Sequence, residues 1–233
     1  MALVMEDICV STNGRELVKG ASLTVDPGKV TAVLGANGAG KSELVLAIAG
    51  MLPIARGNIT VDGHPIQGCT PDTVRLAGVA AVPEGHRVLS RLSVDDNLRV
   101  AGSMLSGAKL GRTMAETYAL FPELAERKRQ LAGTMSGGQQ QMLAIGHALM
   151  ARPRYLLIDE MSLGLAPLII KRLVKAISHL LEKDTGILLV EQFTEVALSV
   201  ATSVTVMRTG KVQYSGLASE LKARPEILEK AYF

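Results

Sequence analysis

A glycine-rich loop between an apolar run and a helix-like segment is the feature that most constrains the fold of this chain. The loop reads GANGAGKS over residues 35–42 and fits the pattern G-x-x-x-x-G-K-[ST] at every fixed position. The run VTAVL (30–34) precedes the loop, and a helix-like segment runs from Lys41 to Gly50. A strand, such a loop and a helix in this order predict a phosphate-binding unit of an α/β fold. A plain glycine-rich turn is the weaker interpretation.

The residue types of the loop suit a bound phosphate group. Glycines let backbone N–H groups converge on phosphate oxygens, and the N-terminus of the following helix adds positive potential. We expect Lys41 to neutralise the outer phosphates of a nucleotide and Ser42 to offer its hydroxyl to Mg²⁺. The residues assigned to nucleotide binding in this loop are Gly35, Asn37, Gly38, Gly40, Lys41, Ser42 and Glu43.

Glu43 places an anion where an anionic ligand is expected. A carboxylate in the first turn of a helix interacts favourably with the helix dipole by roughly 0.3 to 1 kcal/mol. Against a phosphate about 4 Å away, like-charge repulsion reaches roughly 4 kcal/mol at an effective dielectric constant near 20. We therefore expect the Glu43 side chain to turn outward or to pair with a basic neighbour, and we expect the nucleotide to bind with reduced affinity.

Two carboxylates follow another apolar run. YLLID (155–159) is typical of a buried strand, so Asp159 and Glu160 are expected at the carboxyl edge of the sheet, beside the glycine loop. Asp159 is predicted to hold Mg²⁺ through its water shell, and Glu160 is predicted to polarise the attacking water. Two acids after a strand are more often an N-cap pair of a helix, but the glycine loop upstream favours the metal interpretation.

Strand-like and helix-like segments alternate along the chain, which predicts an α/β fold with a largely parallel sheet and helices on both faces. Short β-like runs near the N-terminus predict an antiparallel β subdomain, and helical periodicity from about 93 to 150 predicts an inserted α-helical subdomain. The length favours a single domain over residues 1–233. The other runs interpreted as strands are LVMEDICV (3–10), ASLTV (21–25), NITV (58–61), GVAAV (78–82), GILLV (186–190) and SVTVM (203–207).

The amino-acid composition indicates which kinds of partner the chain is expected to bind. Hydrophobic residues make up 48% of the chain, which indicates apolar surface reserved for a partner. No apolar run approaches the roughly 18 residues of a membrane span, and the start MALVMEDICV does not resemble a signal peptide. The 25 basic and 22 acidic residues are spread without a basic run, which argues against nucleic acid as a partner. We expect a cytosolic protein that touches a membrane complex.

The segment MSGGQQQMLAIGHALM (135–150) separates this chain from other nucleotide-binding families. Its SGGQ signature before an apolar helix predicts a second anion-binding helix start, which a kinase or a small GTPase does not need. With this signature between the glycine loop and YLLID, the chain resembles an ATP-binding subunit of an ABC transporter over essentially its whole length. The resemblance implies a P-loop NTPase core with ATP and Mg²⁺ as its cofactors. The signature residues assigned to nucleotide binding are Ser136, Gly137, Gly138 and Gln139.

Two further segments narrow the resemblance. AVPEGHRVLSRLSVDDNL (81–98) and DEMSLGLAP (159–167) resemble the ATP-binding subunits of importers for branched-chain and other hydrophobic amino acids, with urea and amide importers as close relatives. In this subgroup the Q-loop can carry Glu and the switch position can carry Gln, which correspond to Glu84 and Gln192. The resemblance implies that Glu84 belongs to the metal site and that Gln192 senses phosphate. Because an amide takes up no proton at neutral pH, hydrolysis is expected to rest on Glu160, with Gln192 as the second catalytic residue.

The resemblance also implies partners. Each nucleotide lies between the glycine loop of one ATPase subunit and the SGGQ signature of a second one, in a head-to-tail homodimer or heterodimer. The pair docks on transmembrane permease subunits through the groove near Glu84 and the helical insert, and an external solute-binding protein acts indirectly through the permease. The subunit is then cytoplasmic and peripheral on the inner face of the cell membrane. The sequence fixes neither the transported solute nor the choice between homodimer and heterodimer.

Several positions depart from the wider family and support alternatives. Asn13 stands where a base-stacking aromatic is expected, and Ala166 stands where many relatives carry the D-loop Asp. His86, near Glu84, suits either a surface role or contact with a partner. One alternative is a catalytically weak nucleotide-binding module, which Glu43 and Asn13 would support. Another is a non-transport ABC ATPase acting on ribosomes or DNA, although the sequence shows neither the second cassette nor the long coiled-coil insert usual in that class.

Overall fold

The computed structural model describes residues 1–85 and 88–232 of the chain. None of the helices in these two ranges is long and apolar enough to cross a membrane. The strands are β1 Leu3–Thr12, β2 Arg15–Val25, β3 Val30–Leu34, β4 Arg56–Val61, β5 His64–Pro65, β6 Val79–Val82, β7 Tyr155–Asp159, β8 Gly186–Glu191, β9 Ser203–Arg208 and β10 Lys211–Leu217. The α-helices are α1 Lys41–Ile48, α2 Pro71–Leu76, α3 Val94–Ala101, α4 Gly107–Leu120, α5 Pro122–Ala125, α6 Gly137–Leu149, α7 Pro167–Leu181, α8 Thr194–Val200, α9 Ala218–Ala223 and α10 Pro225–Tyr232.

The strands form a larger parallel sheet and a smaller antiparallel one. The larger sheet has the order β10-β9-β3-β8-β7-β6, and its neighbours are parallel except the edge pair of β9 with β10. Every residue of β3, β7 and β8 is buried, because helices cover both faces. The antiparallel sheet has the order β2-β1-β4-β5. The predicted fold class, α/β with a largely parallel sheet, an antiparallel sheet and inserted helices, is confirmed.

Helix α1 is buried between the two sheets. Leu44 and Val45 of this helix pack in one cluster with Ile8 of β1 and Val190 of β8. Its sequence KSELVLAI is apolar on nearly every side after the first turn, as expected of a helix inside a core. Because β3 and α1 are joined by the glycine loop, this packing fixes the loop at the carboxyl edge of the larger sheet.

Helices α3 to α6 occupy the connection between the adjacent parallel strands β6 and β7. Their apolar side chains, among them Leu98, Phe121 and Leu124, share one cluster with α7 and with a face of the larger sheet. A parallel connection must cross from one end of the sheet to the other, and here the crossing is made by several packed helices instead of one. Helices α3 to α6 therefore pack against a face of the sheet and add no strand to it.

A buried asparagine closes the loop that leads into these helices. Asn97 on α3 is fully buried, and its side-chain oxygen accepts a hydrogen bond from the N–H of Leu89 at 2.9 Å. Its amide group donates to the carbonyl oxygens of Leu89 at 3.0 Å and Ser93 at 2.9 Å. One side chain thus satisfies several backbone groups that would otherwise be buried without partners.

Helix α2 and strand β10 are among the elements that the sequence patterns do not predict. Helix α2 buries only Val74, so it shows no apolar stripe, although Thr70 caps it by accepting a hydrogen bond from the N–H of Thr73. Strand β10 alternates exposed and half-buried residues at the sheet edge, so it lacks the apolar run used to identify the buried strands. Both elements lie at the periphery, where few residues are buried, so the hydrophobic periodicity of their sequences is weak.

Asn97→Ala is expected to lower the free energy of unfolding by about 2 to 3 kcal/mol, because it leaves buried backbone groups of the loop unpaired. Urea unfolding followed by circular dichroism measures the change. The matched control is Asn58→Ala on β4, where the side chain is exposed and the expected change is within about 0.5 kcal/mol. Equal destabilisation by both variants would show that Asn97 does not hold the loop.

Candidate active site

The glycine loop ends at a position that requires glycine. Gly40 caps α1 with φ of 97°, in the left-handed region. A Cβ atom added there would lie 2.5 Å from the backbone oxygen of Leu17 on β2. Any other residue would be strained by both the backbone angle and this close approach. The loop can therefore turn directly into α1, and the helix N-terminus opens onto the loop.

Lys41 is the first residue of α1, and its side chain is buried in the loop. Its Nζ atom donates hydrogen bonds to the carbonyl oxygens of Gly35 at 2.9 Å and Ala36 at 3.2 Å. The same atom lies 3.9 Å from Oε1 of Glu160. A buried ammonium group needs such partners to remain charged. The arrangement holds one positive charge inside the loop.

Asp159 ends β7 and is almost fully buried. Burial raises the pKa of its carboxyl group to about 6; Ser42 and Lys41 oppose the rise, whereas the charges of Glu160 and Glu84 add to it. Within the described residues, its Oδ1 atom has no hydrogen-bond partner. A buried carboxylate oxygen without a donor suits a bound cation, which would also favour the charged form of the group.

Glu160 follows in an unusual backbone conformation. Its φ is 50°, which is rare for a residue other than glycine and concentrates at functional sites. Its N–H donates to the carbonyl oxygen of Val190 at 2.9 Å, so the chain leaving β7 stays attached to β8. Asp159 and Glu160 do not form the N-cap pair considered above, because α7 begins only at Pro167 and has Ala166 at its N-cap.

These groups lie around one open pocket of about 300 Å³. It combines the glycine loop, the first turn of α1 and carboxylates from two other segments. The lining residues are Asn37, Gly38, Gly40, Lys41, Ser42, Glu43, Glu84, Glu160 and Leu163. The structure thus brings together most of the residues predicted for the nucleotide and the metal. Gly35 adjoins this set through its hydrogen bond to Lys41, and Asp159 adjoins it through the chain.

The predicted switch residue lies at the same sheet edge but outside this pocket. Among the residues that the structure describes, Gln192 is absent from the pocket lining. It is exposed and follows β8, whose last residue Glu191 is aligned with Leu34 at the end of β3. Gln192 therefore follows a strand end that is adjacent to the last residue before the glycine loop.

The SGGQ signature also stands apart from this pocket, at the start of α6. Ser136 and Gln139 form a capping box: the N–H of Gln139 donates to Ser136 Oγ at 3.4 Å, and the N–H of Ser136 donates to Gln139 Oε1 at 3.1 Å. A Cβ atom on Gly138 would lie 2.7 Å from the side chain of Ile169 on α7, so packing requires glycine there. Ser136 and Gly137 are exposed, which leaves this helix start open to another molecule.

Glu43 is half-buried and lines the same pocket as Lys41. The expected pairing with a basic neighbour does not occur within residues 1–85 and 88–232. The other expected arrangement, a side chain turned outward, agrees with its partial exposure. The effect of its charge on nucleotide affinity stays a prediction.

Two positions marked by the sequence lie elsewhere. Asn13 and Gly14 form an exposed turn between β1 and β2, with φ values of 52° and 74°. Positive φ at both central residues is what a type I′ hairpin turn requires, and Asn followed by Gly is its favoured sequence. The turn geometry therefore explains Asn13 without reference to a ligand. His86, considered above as a partner contact, lies outside the described residues.

Two buried polar residues near the pocket are missed by the sequence patterns. Glu191, the last residue of β8, accepts hydrogen bonds from Ser162 in the loop after Glu160. Both residues are almost fully buried. The available signal was a charged residue ending an otherwise apolar run, which is more often a solvated strand end.

The order of the motifs and their geometry agree with one protein family. A sequence model described as ABC transporter matches residues 18–162, which include the glycine loop, the SGGQ signature and Glu160. This chain belongs to the ABC transporter family. It is an ATP-binding subunit with ATPase activity, as the sequence resemblance implies.

Named relatives and solved structures are similar to this ABC transporter subunit over nearly its whole length. It is 41% identical over 206 residues to the high-affinity branched-chain amino acid transport ATP-binding protein BraG of Pseudomonas aeruginosa, with 88% of each sequence covered. It is 33% identical to the probable branched-chain amino acid transport ATP-binding protein LivF of Archaeoglobus fulgidus, with 82% of each covered. A solved ATP-binding subunit of an ABC transporter superposes with a TM-score of 0.86 at 26% identity, covering 99% of this chain and 98% of that one. An ATP-binding cassette in its ADP conformation gives 0.87 at 23% identity over 98% of both chains, which shows the fold alone.

Glu43→Thr is expected to tighten ATP binding about three- to tenfold, because removing the like-charge repulsion outweighs the lost interaction with the helix dipole. The gain should shrink as salt rises, since the carboxylate is partly exposed. Calorimetric titration with ATP at two salt concentrations measures both effects. The matched control is Glu6→Thr on β1, which is exposed and not part of the pocket lining. Unchanged or weaker affinity in Glu43→Thr would mean that this carboxylate does not oppose the nucleotide.

Proposed function

We propose that this chain is the ATP-hydrolysing subunit of an importer for branched-chain or other hydrophobic amino acids, with urea and amides as related solutes. The observation that carries hydrolysis is the pocket in which Lys41 and Glu160 lie 3.9 Å apart beside the buried Asp159. The class of solute is supported by the two branched-chain amino acid relatives, because a nucleotide pocket contains no information about the transported molecule.

The chain's own residues fit a magnesium ion at this pocket. The unpartnered Oδ1 of Asp159 is a buried oxygen acceptor, and the Ser42 hydroxyl and the Glu84 carboxylate lie around the same carboxyl group. No cluster of three or more His, Cys, Asp or Glu side chains that would hold a metal by itself occurs in the described ranges. Such an incomplete set agrees with Mg²⁺, which is usually bound by one or two carboxylates together with substrate phosphates. When bound, Mg²⁺ neutralises charge on the phosphates, and Ser42, Glu84 and Asp159 would hold it.

The proposed reaction is attack of water on the γ-phosphoryl group of ATP, with release of ADP and phosphate. Glu160 orients the water and accepts its proton; it lines the pocket, with its Oε1 atom 3.9 Å from Nζ of Lys41. Lys41 and the backbone N–H groups from Gly35 to Glu43 hold the phosphates. Gln192 donates an amide hydrogen bond to the γ-phosphate and so senses its presence, without taking up a proton.

We further propose that a second ATPase subunit completes each site. The support is the exposed start of α6, where Ser136 and Gly137 present an anion-binding helix N-terminus that takes no part in the chain's own pocket. In a head-to-tail pair, this helix start faces the nucleotide held by the partner's glycine loop. The two subunits are either identical or related.

The remaining partners follow from the same proposal. Residues 1–233 act as one ATP-binding domain, and the helical insert of about 93 to 150 and the segment of Glu84 meet transmembrane permease subunits on the cytoplasmic face of the membrane. An external solute-binding protein acts on the other side, through the permease. Nucleic acid has no place in this assembly. The proposal is supported by the branched-chain transport relatives, which are ATP-binding proteins of transporters.

Glu160→Gln is expected to lower ATP turnover at least about a hundredfold, because it removes the carboxylate that accepts the proton of water while keeping the side chain's shape. Its ATP affinity should stay within about twofold of wild type, whereas Lys41→Ala should weaken affinity itself. Phosphate release in the complex with permease measures turnover, and calorimetry on the isolated chain measures binding. Wild-type turnover in Glu160→Gln would show that another group acts as the base, and low turnover in the wild-type complex would favour a catalytically weak module.

Ser136→Arg is expected to leave ATP affinity of the isolated chain unchanged and to abolish turnover in the complex, because the bulky side chain blocks approach of a second subunit's nucleotide. Isothermal titration and phosphate release measure the two quantities. Ser178→Arg on α7, another exposed serine, is the matched control and should keep wild-type turnover. If Ser136→Arg hydrolyses ATP as fast as this control, the head-to-tail arrangement is wrong.

A further inference from the structure

A fully buried carboxylate joins two segments of the active site. Glu191, at the end of β8, is 1% exposed, and Ser162, in the loop after Glu160, is 2% exposed. The backbone N–H of Ser162 donates to Oε1 of Glu191 at 3.0 Å, and its hydroxyl donates to Oε2 at 2.7 Å. Each oxygen of the carboxylate thus accepts one hydrogen bond from the same residue.

These bonds extend an attachment that begins at Glu160. The N–H of Glu160 donates to the carbonyl oxygen of Val190, and two residues later Ser162 donates twice to Glu191. Consecutive residues of β8 therefore hold the loop that leaves β7. The attachment adds to the ion pair of Glu160 with Lys41 and to the burial of Met161 in the core. The backbone of Glu160 lies in the left-handed region, and the turn that follows is exposed at Leu163 and Gly164.

Burying a charged carboxylate costs solvation free energy, which is unfavourable for a bond that only joins two segments. Glu191 has no salt bridge within the described residues, so its charge is compensated only by hydrogen bonds. Burial raises the pKa of its carboxyl group, and the charge of Glu160 adds to the rise. The two bonds from Ser162 and a further hydrogen bond from the backbone of Phe193 lower the pKa in part. A neutral side chain would hold the loop with a smaller loss of solvation. The two-oxygen acceptor does, however, fix both the backbone and the side chain of Ser162 at once.

We propose that Glu191 is a positioning residue for ATP hydrolysis: through Ser162 it fixes the loop that carries Glu160 to the end of strand β8, which Gln192 follows directly. This proposal rests on the proposed catalytic roles of Glu160 and Gln192 and adds a physical link between them. Glu191 is the last residue of β8, and Gln192, the proposed phosphate sensor, follows it directly. Glu191 also holds the loop of Glu160, the proposed base. The link keeps these two groups in a constant relative position.

The test compares Glu191→Ala with Glu191→Gln. Glu191→Ala removes both acceptors, and its kcat should fall about tenfold or more while ATP affinity of the isolated chain stays within about twofold. Glu191→Gln can keep both contacts, because its amide oxygen accepts from the Ser162 N–H and its amide nitrogen donates to a reoriented Ser162 hydroxyl. Its kcat should therefore return to within about threefold of wild type. The measurements are kcat and KM for ATP in the complex with permease, with titration calorimetry on the isolated chain.

A second pair of variants tests whether Ser162 is the route. Ser162→Ala removes one of the two bonds and is expected to lower kcat about threefold, and the double variant with Glu191→Ala should be no slower than Glu191→Ala alone. Glu195→Ala, an exposed carboxylate four residues along the chain, is the matched control and should keep wild-type kcat. Additive losses in the double variant would overturn the proposed route.

The outcomes separate this proposal from the one on which it rests. Wild-type kcat in Glu191→Ala, or a loss of kcat in Glu191→Gln as large as in Glu191→Ala, would overturn positioning through hydrogen bonds. A loss of ATP affinity in Glu191→Ala as large as the loss of kcat would also overturn it, because the role would then be structural. Glu160→Gln, measured in parallel, reports on the base independently. If that variant loses turnover and Glu191→Ala does not, the base stands and the positioning role fails.

Discussion

The burial of helix α1 between two sheets is the constraint on which the rest of the structure depends. Its apolar side chains fill the space between the antiparallel sheet and one face of the larger sheet, so the helix cannot shift without opening a core. The glycine loop is carried on this fixed helix end. A phosphate site built in this way is ordered before its ligand arrives and loses little conformational freedom on binding.

The same burial determines the electrostatics of the sheet edge. Lys41, Asp159 and Glu160 are all removed from water, so each charge depends on its neighbours or on a ligand. Two carboxylates and one ammonium group leave an excess of negative charge, which adds to the larger effect of burial in raising the pKa of Asp159. The chain alone therefore presents an unbalanced site, which a cation accompanying an anionic nucleotide would balance.

The centre of the fold and the pocket were predictable from the sequence, and their surroundings were less so. β3, β7 and β8 are continuous apolar runs because both of their faces are buried, whereas edge strand β10 has no such pattern. The glycine loop can be recognised because all of its defining residues lie within the short segment 35–42. Glu191 could not be recognised, because its partner Ser162 lies 29 residues away and only the adjacency of β7 and β8 brings them together. The role of Ser136 needs a second chain and stays a prediction.

The order of strands in the larger sheet has a consequence for synthesis of the protein. Central strand β3 pairs with β8 and β9, and the hydroxyl groups of Thr31 and Ser203 are hydrogen-bonded across 172 positions of the chain. At about 5 to 20 residues per second, a ribosome needs roughly 9 to 34 seconds to make that stretch. Strand β8 is made shortly before β9, so β3 lacks both of its lateral neighbours for most of this interval. During that time the apolar residues and open edges of β3 are exposed in the nascent chain, which is the condition under which unfinished chains aggregate.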